Sequence, residues 1–513
     1  MEYIVGIDVG TTNCKCVLVN QNCEIVMKVA DELTMSNPQI GWSEQDPEDW
    51  WRTIKNLVQK VTSQVDAKKI KAIGLSGQMH GLVLLDVQGN VLRPAILWND
   101  QRSASQCIEI YEIVGGQDKL LQYTNNAMIP AYIGNKILWV KENEPEIFSR
   151  VSHVLMPKDF IRYRLSGVVA TDYSDASGTG LFNVKECRWS EELIDLLKIP
   201  YNWFPPTHSS FEITGTVLPR VSSEIGIPLN TPVITGGGDA IMQTIGSASL
   251  GNDTILTVLG TGGNVTASVS KFPDNPQGKL QCFCHVLPNQ WVLMGVSLTA
   301  GSSLKWFRDT LGQEEITLAN ELGLNVYDVL TQKASTSPPG SNGLLFLPYL
   351  MGERCPHTDT KVRGSWIGIS LHSHKSDLIR SIMEGVVFSL RDIFSLMENL
   401  GIHPRYIHAS GGGVVSSLWR QIQADIFNRE IHIMHYSEDA SALGAAIVAG
   451  VKLGFWSSIQ EAVSLIQIET IEKPDEKHTK IYEPLFNLYK KQYSILKPVY
   501  DELSTLTQDK NIS

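Results

Sequence analysis

The chain has 513 residues, 43% of them hydrophobic and 19% charged, with a formal net charge of −11. This is a globular balance, with material for two or three domains of ordinary size. The acidic excess without a basic stripe argues against a nucleic-acid partner, and no apolar run reaches the roughly 18 residues that a membrane span needs. Met1-Glu2-Tyr3-Ile4-Val5-Gly6 enters a strand pattern at once, without the basic and apolar regions of a secretory signal. A cytoplasmic location is therefore expected. The eight cysteines form no CxxC pair of zinc-like spacing. They read as small buried hydrophobes in a reducing compartment.

Residues 3–8 (YIVGID) predict a strand, 9–13 (VGTTN) a turn in which Gly10 supplies backbone freedom, and 14–20 (CKCVLVN) a second strand. This is a hairpin signal, followed by a third strand over 24–30. Asp46-Pro47 predicts a helix start, with Trp50, Ile54, Val58 and Val61 at helical spacing. A strand over 70–75 delivers Ser76-Gly77-Gln78-Met79-His80 at its end. Strand and helix patterns keep alternating, which predicts an α/β fold. In the second half, a strand over 232–235 ends in Gly236-Gly237-Gly238-Asp239. Strands over 254–259 and 265–269 then flank the turn Gly260-Thr261-Gly262-Gly263-Asn264. Two hairpins with Gly/Thr turns, one per half, read as a duplication. Ser376 is expected to cap a helix over 377–400 that stops at Gly401. A strand over 405–409 runs into Ser410-Gly411-Gly412-Gly413, and helices follow over 417–427 and 442–450. The expected domains are 1–246 and 247–497, with a polar, loosely ordered tail over 498–513.

Four constellations carry chemistry. Asp8 at a strand end, followed by Gly10-Thr11-Thr12-Asn13, can meet a phosphate through backbone N–H groups and hydroxyls, and Mg²⁺ through water. Gly260-Thr261-Gly262-Gly263 is a second such turn. Ser410-Gly411-Gly412-Gly413 lets backbone approach a flat ligand, with neither GxGxxG nor Walker A present. Asp239, at the end of the 232–235 strand, is placed to take a proton from a hydroxyl that attacks a phosphate. The paired turns resemble those of the actin, Hsp70 and hexokinase superfamily. The resemblance implies two actin-like, ribonuclease H-like domains with a cleft between them.

Further stretches narrow the resemblance. Gly364-Ser365-Trp366-Ile367-Gly368-Ile369, followed after seven residues by Asp377-Leu378-Ile379-Arg380-Ser381-Ile382-Met383-Glu384, is similar to the C-terminal signature of the FGGY carbohydrate kinase family. Leu347-Pro348-Tyr349-Leu350-Met351-Gly352-Glu353-Arg354 resembles a second motif of that family. Lys136-Ile137-Leu138-Trp139-Val140 resembles a third, with Ile133 where Pro, Ser or Thr is usual. Trp42 to Pro47, Gly77 to Gly81, Ala95 to Asp100, Met156 to Asp159 and Tyr173 to Thr179 extend the likeness, which runs unbroken from residue 3 to about 453.

What the family implies is a kinase that uses ATP and Mg²⁺ to phosphorylate a small ketose. These stretches point to D-xylulose, with gluconate, ribulose, L-xylulose or a polyol as alternatives. By position the resemblance makes Asp239 the catalytic base and Asp8 the acid that organises metal and phosphate. It assigns sugar contacts to Met79, His80, Trp98 and Asn99, and phosphate contacts to Thr11, Thr12, Asn13, Lys15, Gly260, Thr261 and Gly262. The adenosine pocket falls on Gly411, Gly412 and Gly413. A homodimer is implied by analogy, with the sugar and ATP as the ligands and neither nucleic acid nor membrane as a partner. Ala240 replaces the family's usual Asn after the base, and Gly262 replaces a usual Ser. These two departures keep a non-catalytic sugar sensor among the readings.

Overall fold

The computed structural model describes residues 1–273 and 277–508. They form two compact units. The first comprises Met1–Leu250, Ser268–Leu293 and Asp439–Gln467; the second comprises Gly251–Ala267, Met294–Glu438 and the chain from Ile468 onward. Two segments of the C-terminal half thus belong to the first unit.

In the first unit, Tyr3–Val9 pairs antiparallel with Asn13–Asn20, which pairs antiparallel with Ile25–Glu32. On its other side Tyr3–Val9 lies parallel to Ile70–Gly77. That strand is parallel to Pro232–Ile234, which is antiparallel to Ile213–Thr216 at the edge. Strand period sorts the faces. Val5, Ile7 and Val9 enter the core with Cys14, Cys16 and Leu18, against Trp50, Ile54 and Val58 of the helix Pro47–Thr62. That helix starts as expected: Asp46 accepts a hydrogen bond from the N–H of Glu48 at 3.0 Å, and Pro47 opens its first turn. Gly6 and Gly74 occupy the opposite face, where a Cβ would run into the carbonyls of Ala442 and Ala445. These glycines let the small-residue helix Ala440–Lys452 lie directly on the strands. Asp8 and Ser76, two residues further along each strand, share that face and lie opposite one another in register.

The second unit repeats the order. Thr254–Leu259 is antiparallel to Gly263–Val269 and parallel to Tyr406–Ser410, which is parallel to Glu430–Met434, itself antiparallel to Ile468–Glu472. Hairpin, two parallel neighbours and an antiparallel edge recur in both sheets. The duplication suggested by the two Gly/Thr turns is therefore present as topology.

The helix expected over 377–400 with Ser376 as its cap instead spans Lys375–Asn399. The Asp377 carboxylate accepts from the N–H of His374 at 2.8 Å, which moves the cap to His374 and puts Ser376 inside the first turn. The signature residues on this helix are structural. Glu384 accepts from Arg380 Nε and from the Tyr482 hydroxyl, both at 2.7 Å, from the Gly340 N–H at 3.0 Å and from the Ser341 hydroxyl at 2.8 Å. Arg380 also donates to the Ser337 carbonyl at 3.0 Å. Glu384→Ala strands a buried guanidinium and is expected to lower stability by about 3–5 kcal/mol. The measurement is a drop in the urea midpoint at constant m, and a change below about 1 kcal/mol would contradict it.

The chain end also differs from expectation. A helix runs over Glu476–Gln508, so residues 498–508 are helical rather than a loose tail. Tyr500 is buried with its hydroxyl 2.9 Å from Ser365 Oγ, and Lys497 bridges Asp359 at 3.1 Å and Asp501 at 2.9 Å. Residues 509–513 of the expected tail lie outside the described residues. Among the described residues, no helix is long and apolar enough to cross a membrane.

Candidate active site

Asp8 ends its strand half-buried on the sheet face covered by Ala440–Lys452. One carboxylate oxygen accepts from the Ser76 hydroxyl at 2.9 Å. Burial raises its pKa and nearby Asp439 raises it further, while the Ser76 bond and the Lys15 ammonium oppose them. Asp439, just before the helix Ala440–Lys452, pairs with Lys15 at 3.2 Å and with Lys28 at 3.0 Å. The result is a cluster of two acids and two ammonium groups beside the first turn. A divalent cation at Asp8 would offset the burial that now disfavours its charge. Among the described residues no three His, Cys, Asp or Glu side chains converge on a metal position. This donor set fits a cation that brings most of its ligands with it, as water and phosphate oxygens.

The turn is built from within. Thr11 donates its hydroxyl proton to Gln78 Oε1 at 3.0 Å and accepts from Trp98 Nε1 at 2.9 Å. Gln45 donates to the Thr11 carbonyl at 2.8 Å, and Gln78 donates to Gln45 at 3.1 Å and to the Gly10 carbonyl at 3.3 Å. Thr11 and Trp98 therefore join the frame of the turn, and Trp98 is tied to it rather than to the Met79-His80 loop. Thr12 is exposed, and Asn13 begins the return strand. Asn99 turns its amide toward the sulfur of Met35, 3.8 Å away.

Asp239 opens the helix Asp239–Gly246. Desolvation raises its pKa to about 7, and the negative charge of Asp8 adds to the rise; backbone N–H groups of Ala240 and Met79 oppose it. Ala240 N–H lies 2.7 Å from Asp239 Oδ1, so the family's missing Asn leaves this contact in place. The glycines before Asp239 serve the protein's own packing. Gly236 has φ 70°, and a Cβ there would meet the Leu75 carbonyl; one on Gly238 would meet Met79 Cγ at 2.6 Å. Gly237–Gly238 pairs parallel with Ser76 and Gly77, bringing the Asp239 and Met79-His80 loops side by side.

His80 holds φ 68°. Its Nδ1 lies 2.6 Å from the Gly178 carbonyl, which requires a proton on Nδ1 and makes Nε2 the acceptor in the neutral ring. The Lys136 ammonium fixes this backbone by donating to the carbonyls of His80 at 2.7 Å and Ala131 at 2.6 Å. Tyr132 and Phe283 flank the imidazole, with ring centroids 5.2 and 6.1 Å away. Behind both loops, Lys158 bridges Asp159 at 2.6 Å, Asp172 at 2.8 Å and Asp175 at 3.2 Å, all buried, and Arg162 pairs with Asp159 at 2.7 Å. Three acids outnumber two bases. Burial and the neighbouring Asp159 and Asp172 charges push the Asp175 carboxyl well above the ordinary carboxylate range, against the opposing Lys158 ammonium. Ser174 carries the cluster's order to the base loop: it donates to Asp172 at 2.5 Å and accepts from Gly238 N–H at 3.1 Å.

The second unit holds a cavity of about 520 Å³ lined by Gly260, Thr261, Lys305, Tyr327, Gly412 and Trp419, among others. The Thr261 carbonyl accepts from Ala300 N–H at 2.9 Å and from Ser302 N–H at 3.1 Å, which seats the turn on the N-terminus of the helix Gly301–Leu311. The positive end of that helix dipole therefore lies at the turn. A Cβ on Gly262 would lie 3.0 Å from the Ser297 carbonyl, so the family's usual Ser would need the neighbouring backbone to give by a few tenths of an ångström. Gly411 has φ 89° and abuts the Leu259 backbone, whereas Gly412 has no protein atom near its notional Cβ. The sequence located the glycines of this cavity but missed Lys305, Tyr327 and Trp419, which come from three other segments. It likewise missed Asp439, Gln78 and Phe283 in the first unit. Only Gln78 had a local signal, directly before the recognised Met79 and His80.

A duplicated sheet, an acid at the end of each of two strands that flank Ile70–Gly77, and a Gly/Thr turn over a nucleotide-sized cavity define a phosphotransferase that acts on a small molecule. The chain belongs to the FGGY family of carbohydrate kinases, whose N-terminal domain matches residues 3–246 and whose C-terminal domain matches residues 255–453. It is 38% identical to the xylulose kinase of Bacillus subtilis over 99% of this chain and 100% of that one. The structure of ligand-bound xylulose kinase from Lactobacillus acidophilus superposes with a TM-score of 0.91 at 30% identity, covering 98% of this chain and 100% of that one. Gluconate kinase from the same organism superposes with a TM-score of 0.90, also at 30% identity, over 98% and 99% of the two chains.

Proposed function

We propose that the chain transfers the γ-phosphoryl group of ATP to the terminal hydroxyl of D-xylulose, giving D-xylulose 5-phosphate and ADP. The observation that carries this reading is Asp239, a carboxylate whose pKa of about 7 suits a general base at neutral pH. Full-length similarity to xylulose kinases supports the choice of sugar.

In this reading His80 Nε2 accepts a sugar O–H, and Met79, Phe283 and Tyr132 pack the carbon face. Asp239 accepts the proton of O5 as that oxygen attacks the γ-phosphorus; the bond to the β–γ bridging oxygen breaks, and ADP leaves. Asp8 would hold Mg²⁺, which would supply charge neutralisation on the phosphates. Lys15 adds positive charge at the same turn, oriented by Asp439. Adenosine occupies the cavity over Gly412 and Trp419. A reducing cytoplasm suits a chain none of whose eight cysteines is in a disulfide.

Gly412 offers a clean test of the nucleotide cavity. A Cβ there meets no protein atom within 4 Å, so Gly412→Val is expected to leave the melting temperature unchanged and to raise KM for ATP by roughly tenfold or more. An unchanged KM would move adenosine elsewhere.

The sugar is tested by ADP release with D-xylulose, D-gluconate, ribulose, L-xylulose and polyols in parallel. D-xylulose is expected to give the highest kcat/KM by roughly tenfold or more, a discrimination that buried polar contacts readily supply. The near-equal superposition on gluconate kinase makes D-gluconate the second reading, and a higher value for it would establish that alternative. Sugar binding without turnover on the whole panel would establish the sensor instead.

A further inference from the structure

Two thiols outside the proposed chemistry lie in contact. Cys187 sits on the turn that joins Phe182–Asn183 to Arg188–Trp189, exposed, in the left-handed region at φ 51°. Its Sγ is 3.6 Å from Sγ of Cys284, buried at the end of the strand Gln281–Cys284. Both sulfurs approach the Val184 carbonyl, at 3.7 and 3.4 Å, which holds them together. The other six cysteines are buried. An exposed thiol backed by a buried partner is the arrangement of an attacking and a resolving cysteine.

The pair is wired to the sugar loop. Cys284 N–H donates to Ser177 Oγ at 3.1 Å, and the next residue, Gly178, accepts from His80 Nδ1. Phe283, adjoining Cys284, flanks the His80 ring. A shift of Cys284 toward Cys187 therefore moves two supports of His80.

We propose that Cys187 and Cys284 form a reversible disulfide by exchange with a low-molecular-weight disulfide, and that its closure lowers turnover by displacing the His80 loop. The Cys187 thiolate attacks one sulfur of the small disulfide, giving a mixed disulfide and one small thiolate. Cys284 then loses its proton and attacks Cys187 Sγ, expelling the second small thiol. Two protein thiols are oxidised and one small disulfide is reduced to two thiols. The hydrogen bond from Cys284 lowers the pKa of Cys187 to about 7, which supports Cys187 as the attacking group. The effect on turnover rests on the kinase reading; formation of the disulfide does not.

The test exposes the full chain to oxidised glutathione, maps its peptides without reduction, and assays kinase activity before and after dithiothreitol. Expected are a Cys187–Cys284 cross-linked peptide lighter by two hydrogens, a fall in kcat/KM for the sugar of roughly tenfold, and recovery on reduction. Cys187→Ser is expected to keep the reduced activity and lose the response. Absence of that cross-link overturns the proposal, as does a cross-link without change in turnover or an equal loss in Cys187→Ser. If no sugar is turned over, the kinase reading fails, while the peptide map still decides the disulfide.

Discussion

Asp239→Asn is expected to reduce kcat by roughly 10²–10⁴-fold, the range for loss of a positioned general base, and to leave the sugar Kd within a few-fold. The amide keeps the shape and the Ala240 N–H contact but cannot take the O5 proton. The same substitution is expected to stabilise the fold. Asp239 has a native pKa of about 7 against an ordinary 3.8. Between these values the unfolded chain has released a proton that the native state still holds, so stability falls as pH rises through that window. Asparagine removes this penalty, and the melting temperature should rise by about 2–4 °C. Lost turnover with gained stability separates a functional carboxylate from a structural one; unchanged turnover would remove Asp239 from the role. For the wild type, kcat/KM for the sugar should fall with unit slope as pH drops below about 7, where the base becomes protonated. A flat profile from pH 5 to 8 would contradict that pKa.

Asp8→Asn is the second large effect. The amide oxygen still accepts the Ser76 bond, so the strand end keeps its shape, but the negative charge proposed to hold Mg²⁺ is gone. A loss of roughly 10²–10³-fold in kcat is expected, as for removal of one preorganised electrostatic contact to a transition state. The Mg²⁺ concentration for half-maximal rate should rise with it. An unchanged Mg²⁺ dependence would show that the ion is held without Asp8. Removing Asp8 also removes the charge that helps raise Asp239, so the acidic limb of the pH profile should shift downward in this variant.

The strands and the turns after them were legible because a strand alternates with period two and Gly/Thr turns break it sharply. Tyr3–Val9, Asn13–Asn20 and Thr254–Leu259 lie within a residue of where the pattern put them. The helix start at Asp46-Pro47 was legible for the same local reason. Ser376 misled because a hydroxyl near a helix start resembles a cap, whereas Asp377 reaching back to His374 fixed the true one. The end of the chain misled because a polar, proline-interrupted stretch looks loose, although Tyr500 and Lys497 bind it to distant residues. Long-range partners explain the rest. Asp439 meets Lys15 across 424 positions of sequence, and Cys284 meets Cys187 across 97. The glycines of 236–238 were legible as a place of close approach, but only the structure identifies the approaching groups as Leu75 at Gly236, Met242 and Ser174 at Gly237, and Met79 at Gly238.

The product of one turnover tests the central claim most directly. D-xylulose and MgATP are incubated with the protein, the ADP formed is counted, and the phosphate is located on the sugar by its coupling to carbon-bound protons. The expected result is one sugar phosphate per ADP, with the phosphate on O5. ADP released without sugar phosphate, or no transfer to any sugar of the panel, would contradict it.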